Sequence, residues 1–136
     1  GTSTSKAYTH TFENLKNFGD ISVSKVKADN GSNGGTITVG GVLGLCYYTA
    51  TASNLYSNCD INVTDCTSVG NTYLGVLVGG FQTDVKMGTG NSVGGSLNGV
   101  TLTEENYYQY VYQGGTAETC GDVTLLAPIV DTPAEE

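Results

Sequence analysis

Two aspartates forty positions apart, Asp20 and Asp60, sit in matching phrases, Gly19-Asp20-Ile21-Ser22-Val23 and Cys59-Asp60-Ile61-Asn62-Val63. Asp122 opens a third version, Gly121-Asp122-Val123-Thr124-Leu125. Paired carboxylates are what glycosidic cleavage needs, one as acid and one as base or nucleophile. A residue that returns once per unit is more simply a turn former, and this set has no basic partner to hold an anionic sugar. Asp20 and Asp60 are therefore assigned structural roles, and the chain is expected to carry no catalytic residue.

The other candidates for chemistry are thin. His10 is the one imidazole that could act as a base near neutral pH, and no serine and acid stand at a spacing that would serve it. Gly88-Thr89-Gly90-Asn91-Ser92-Val93-Gly94 approaches a dinucleotide fingerprint, but its last spacing is wrong and no helix is expected after it. Asp29-Asn30-Gly31-Ser32-Asn33-Gly34 resembles the start of a calcium loop. It has Gly31 at the third ligand position and Gly40 where a bidentate Glu is required, so it reads as a solvated turn. Neither a cofactor nor a metal is expected.

Cys46, Cys59, Cys66 and Cys120 allow three complete pairings, and their spacing does not choose among them. The simplest reading packs two or more as small apolar side chains, with a disulfide as the competing one. Cys59 stands where Gly19 stands in the earlier phrase, which suits a small buried residue. The tyrosines are the best binding feature. There are nine, and Tyr47-Tyr48 and Tyr107-Tyr108 form pairs. Exposed rings stack on sugar faces and anchor protein interfaces. The alternative for the 107–112 cluster is that its rings pack and cap the fold.

The elements that must position these residues follow from repetition. Asn14-Leu15 and Asp20-Ile21-Ser22-Val23 return as Asn54-Leu55 and Asp60-Ile61-Asn62-Val63. Val39-Gly40-Gly41-Val42 is echoed by Val78-Gly79-Gly80-Phe81, and the Asp-Ile phrase loosely by Gly99-Val100-Thr101-Leu102. Each copy is a Gly, Asn or Asp turn followed by apolar and polar alternation, the period of a half-buried strand. Units that recur at this spacing bury their apolar faces on one another. Gly40, Gly41, Gly79 and Gly80 are expected at equivalent corners, where glycine permits a left-handed backbone or a close approach.

The expected architecture is all-β, a short right-handed parallel β-helix with a C-terminal capping helix; an antiparallel β-sandwich is the alternative. Residues 1–127 form one domain, with repeats at about 14–53 and 54–93 and a closing unit at 94–127. A helix is expected from Leu102 to Gly115, with Thr103 as N-cap and Gly114 as stop. Residues 128–136, acidic and holding both prolines, are expected to be a disordered tail.

Composition narrows function by exclusion. The chain has 136 residues, 13% charged, with 20 glycines, no Trp and a net charge of -8. It has no Arg, and only Lys86 follows Lys27, so no cationic stripe exists for nucleic acid or anionic lipid. No segment is long and apolar enough to span a bilayer. Gly1-Thr2-Ser3-Thr4-Ser5 reads as a junction with export information upstream, which makes this part of a longer protein.

Three phrases carry a resemblance: Ile37-Thr38-Val39-Gly40-Gly41-Val42-Leu43-Gly44, Ser57-Asn58-Cys59-Asp60-Ile61, and Gly99-Val100-Thr101-Leu102-Thr103-Glu104-Glu105-Asn106-Tyr107. Over residues 14–126 the chain resembles the GLUG-type and related β-solenoid repeats of exported surface proteins, especially those of Bacteroidetes. It departs from them at Leu45 and Gln82. The resemblance implies an extracellular or cell-surface bacterial protein. Its implied roles are adhesion, contact with glycan or a host or cell-surface protein, or service as a stalk. The enzymatic alternative is a fragment of a β-helix polysaccharide lyase or glycosidase.

Overall fold

Fourteen strands and one five-residue helix occupy residues 10–29, 35–46, 50–81 and 87–127, which the computed structural model describes. The first run holds β1 (His10–Glu13), β2 (Lys16–Asn17), β3 (Ile21–Ser24), β4 (Lys27–Ala28), β5 (Ile37–Gly40) and β6 (Leu43–Cys46). The second holds β7 (Ala50–Ser53), β8 (Tyr56–Thr64), β9 (Thr67–Ser68), β10 (Thr72–Gly75) and β11 (Val78–Phe81). The third holds β12 (Ser92–Leu97), β13 (Val100–Thr101), α1 (Tyr107–Val111) and β14 (Thr124–Leu125).

Every strand of the first run pairs in parallel with its counterpart in the second: β1 with β7, β2 and β3 with β8, β4 with β9, β5 with β10, and β6 with β11. On the far side β12 pairs in parallel with β8 and β14. Among the described residues only β12 and β13 are antiparallel. The protein is all-β, and its ladders run opposite to those an antiparallel sandwich would need. Alternation decides the faces. Along β8 Ser57, Cys59 and Ile61 point into the core, while Asp60 and Asn62 stand in solvent.

The register explains where the repeat holds and where it slips. Ile21 lies opposite Ile61 and Lys27 opposite Thr67, forty positions on. The link from β9 to β10 is five residues shorter than that from β4 to β5, so Ile37 meets Thr72 and Leu43 meets Val78. The two Gly-Gly phrases consequently do not stack. Gly40 faces Gly75, while Gly79 and Gly80 lie within β11, Gly80 opposite Leu45. None of the four has a positive φ. Their reason is proximity: a Cβ on Gly40, Gly41 or Gly79 would collide with the carbonyl oxygen of Leu43, Val76 or Gly44, and one on Gly80 would press on the Tyr73 ring at 3.0 Å. The left-handed corners fall elsewhere. Asn14 (φ 62), Asn54 (φ 53) and Gly90 (φ 77) turn the chain at matching points, using residue types that tolerate this backbone. The Asn14 N–H donates to Ser53 O at 3.3 Å and the Asn54 N–H to Thr89 O at 3.0 Å.

The residue after two of these corners is fully buried. Leu55 is 0% exposed and Asn91 0%, whereas Leu15, with no described strand above it, is 41% exposed.

The closing region differs from expectation in three ways. Asn98 (φ 48) and Gly99 (φ 82) make a two-residue hairpin, so Thr101 returns antiparallel to Ser96 and Gly99-Val100-Thr101-Leu102 is no repeat copy. Thr124 pairs with Ser92, which leaves Asp122 in an exposed turn away from the Asp20 and Asp60 column. The helix covers only Tyr107–Val111, with Asn106 rather than Thr103 at its N-cap. Asn106 instead ties the preceding turn, accepting from Thr103 N at 2.7 Å. At the other end the Tyr110 and Val111 carbonyls accept from Val76 N and Leu77 N at 2.7 and 3.1 Å. Those carbonyls are the acceptors a further turn would need, so docking onto the second run ends the helix. Gly114 does take a positive φ of 89 just beyond it.

Candidate functional site

The outward face of β8 and its neighbours carries a groove of about 430 Å³. Phe18 closes one end and Leu126 lies at the other; Asp20, Asp60 and Ser96 form one wall, with Asn58 beside them. These residues meet because the register stacks them. Asn58 lies opposite Gly94 and Asp60 opposite Ser96. Leu126, following β14, donates its N–H to Val93 O at 2.7 Å. Asn58 and Leu126 close over Gly94: a Cβ there would lie 2.9 Å from Asn58 Oδ1 and 3.1 Å from Leu126 Cβ.

Local chemistry aims each side chain. Asn17 clamps Gly19 through both ends of its amide, donating to Gly19 O at 3.0 Å and accepting from Gly19 N at 2.9 Å. This Asx-type turn pushes Phe18 out, where it is 67% exposed. Phe18 rests on Tyr56 with ring centroids 5.0 Å apart and planes tilted by 43°, a geometry favoured by the ring quadrupoles. Asp20 Oδ1 accepts from Asp60 N at 2.8 Å, and Asp60 Oδ1 from Ser96 Oγ at 2.7 Å. The two repeated aspartates thus knit adjacent strands, and Ser96, opposite Asp60, stands next to them.

Under the wall lies Cys59, 3% exposed, its Sγ 3.3 Å from Ser57 Oγ. Burial pushes its thiol pKa up; the Ser57 hydrogen bond opposes this, and the Asp20 and Asp60 charges add to it. Burial raises the Cys46 and Cys120 thiols as well, and the Tyr112 phenol against the pull of its bond to Thr119. All four cysteines are free, and Cys66 alone is only half-buried. In alkali the unfolded chain gives up these protons before the folded chain does. The folded state then binds more protons, and stability must fall as pH rises past the ordinary thiol value of 9.0. The expected result is a urea midpoint that holds to about pH 8 and drops by about pH 10. A thiol reagent at about pH 8 should label Cys66 first and the other three only on unfolding.

Of the tyrosines read as binding residues, Tyr47 and Tyr48 lie outside the described residues. Tyr107 and Tyr108 are half-buried, packed on the core and on each other with ring centroids 6.1 Å apart. Neither lines the groove. Phe18, Tyr56 and Asn58 were not singled out in the sequence. The available signal was their place in the repeat, since Phe18 and Asn58 both stand two residues before a repeated Asp. Among the described residues no three His, Cys, Asp or Glu side chains converge to hold a metal ion, and no helix is long and apolar enough to cross a membrane.

No protein-family model matches the chain, and neither a curated protein nor a solved structure matches it. The groove is therefore read from its own chemistry. It offers an aromatic platform, an amide and two carboxylates bound into the ladder by their Oδ1 atoms.

Proposed function

We propose that the chain is a noncatalytic module of an exported, surface-displayed or secreted protein, and that it contacts glycan through the Phe18–Asp60 groove. One observation carries this reading. An exposed ring, Phe18, backed by the half-buried Tyr56, stands beside polar groups that accept and donate hydrogen bonds, Asp20, Asp60 and Asn58. Sugar faces stack on such rings while hydroxyls bond to such side groups. The scaffold is proposed to be a short right-handed β-solenoid with α1 as its cap. Parallel ladders at steps of 40 and 36 residues support the coil, and the near-universal hand of parallel crossovers supports its sense. Likeness to GLUG-type repeats supports the surface setting and a role in adhesion or as a stalk.

A lyase or glycosidase fragment is disfavoured. Lyase chemistry needs a base and a cation at the uronate, and among the described residues no Lys, Arg or His lines the groove. Each of the paired carboxylates has its Oδ1 engaged within the protein, Asp20 by Asp60 N and Asp60 by Ser96 Oγ.

The test is a broad glycan array probed with the folded domain, beside a panel of extracellular-matrix proteins. A saturable glycan hit that weakens about tenfold or more in Phe18→Ala is expected, the loss of one stacking ring. Binding to a matrix protein alone, or a glycan hit indifferent to Phe18→Ala, would reject the groove.

A further inference from the structure

We infer that the groove selects neutral, linear glycan chains and turns away chains bearing uronate or sulfate groups, an inference that rests on the reading of the groove as a glycan contact. Shape gives the linearity. Asn58 faces Gly94 on successive strands, and Leu126 follows beyond. The trough therefore runs across the ladder, from Phe18 in the first run to Leu126 after β14. A path crossing several strands suits a chain better than a single ring.

Charge gives the selection. Asp20 and Asp60 sit one strand apart, about 4.8 Å in such a ladder. Each uses Oδ1 within the protein, for Asp60 N and for Ser96 Oγ. Each keeps its Oδ2 outside these two bonds, an acceptor for ligand hydroxyls. An anionic sugar would bring a third negative charge against this wall. Among the described residues no cation lines the groove to offset it. Lys16 stands on β2 opposite Tyr56 and is not part of the lining. The net charge of -8 repels polyanions at longer range.

The experiment compares neutral and acidic chains on one array, at about 50 mM and about 300 mM salt, for the wild type and for Asp20→Asn/Asp60→Asn. The asparagine Oδ1 can accept the same two bonds, so the ladder is kept; a thermal melt checks folding. If the double variant fails that check, Asp20→Asn alone takes its place. Wild-type hits are expected on neutral chains, with acidic counterparts weaker by about tenfold or more. The gap should narrow in the variant and at the higher salt. Equal or preferred binding of acidic chains, or a gap unchanged in the variant, overturns the selection while leaving the glycan reading standing. A folded domain that binds neither kind removes both.

Discussion

Replacing Gly95 with alanine is expected to remove a large share of the stability of the domain. Gly95 lies in β12 opposite Cys59 with φ at +98. Its missing side chain is where the Cys59 backbone passes: a Cβ would overlap the Cys59 carbonyl oxygen and lie 2.7 Å from its carbon. Relief would require β8 and β12 to separate along a register of six residue pairs. The positive φ adds strain of about 1–2 kcal/mol, and a clash with immobile backbone raises the total to about 4 kcal/mol or more. That is a large share of the roughly 5–15 kcal/mol that holds a domain folded. Gly99→Ala is the control. Gly99 also has a positive φ, +82, but open space around it, so it should lose only about 1 kcal/mol. Urea midpoints of the two variants measure the difference. Equal losses would mean that β8 and β12 do not approach as described.

Asn91 carries the second large effect. It is 0% exposed and hydrogen-bonds three ways, accepting from Leu55 N at 2.9 Å and donating to Ala52 O and Gly88 O at 3.0 Å each. The amide thus bonds both the end of β7 and the start of the third run. Asn91→Ala strands Leu55 N and Gly88 O, while Ala52 O keeps its bond from Gly88 N; at about 1–3 kcal/mol for each buried unsatisfied group the expected loss is about 2–5 kcal/mol. Asn91→Leu is the sharper variant, because Leu15 and Leu55 follow the matching corners. If hydrophobic filling were all that mattered, leucine would be neutral. The bonds predict a loss close to that of alanine in denaturant melts.

Much of the fold can be read from the repeat. The Asn-Leu and Asp-Ile phrases mark ladder partners, and Asp20 and Asp60 do adjoin across strands. What repetition concealed is chain length between phrases. Shortening one link by five residues moved Gly40 onto Gly75 and left Gly79 and Gly80 inside a strand. Short glycine phrases look alike whether they serve a corner or a close crossing. The helix is shorter than Thr103 as cap and Gly114 as stop imply, because its last carbonyls accept from Val76 and Leu77. The groove was hidden for a related reason: Phe18 and Asn58 differ in type, so they drop out of a search for repeated letters. Only the register puts them side by side.

The most direct test is a titration of the best array glycan against wild type, Phe18→Ala and Tyr107→Ala. Groove recognition predicts that Phe18→Ala weakens binding about tenfold or more while Tyr107→Ala, altered on the helix, binds as wild type does. The reverse order would place recognition on the helix and contradict the assignment of the groove.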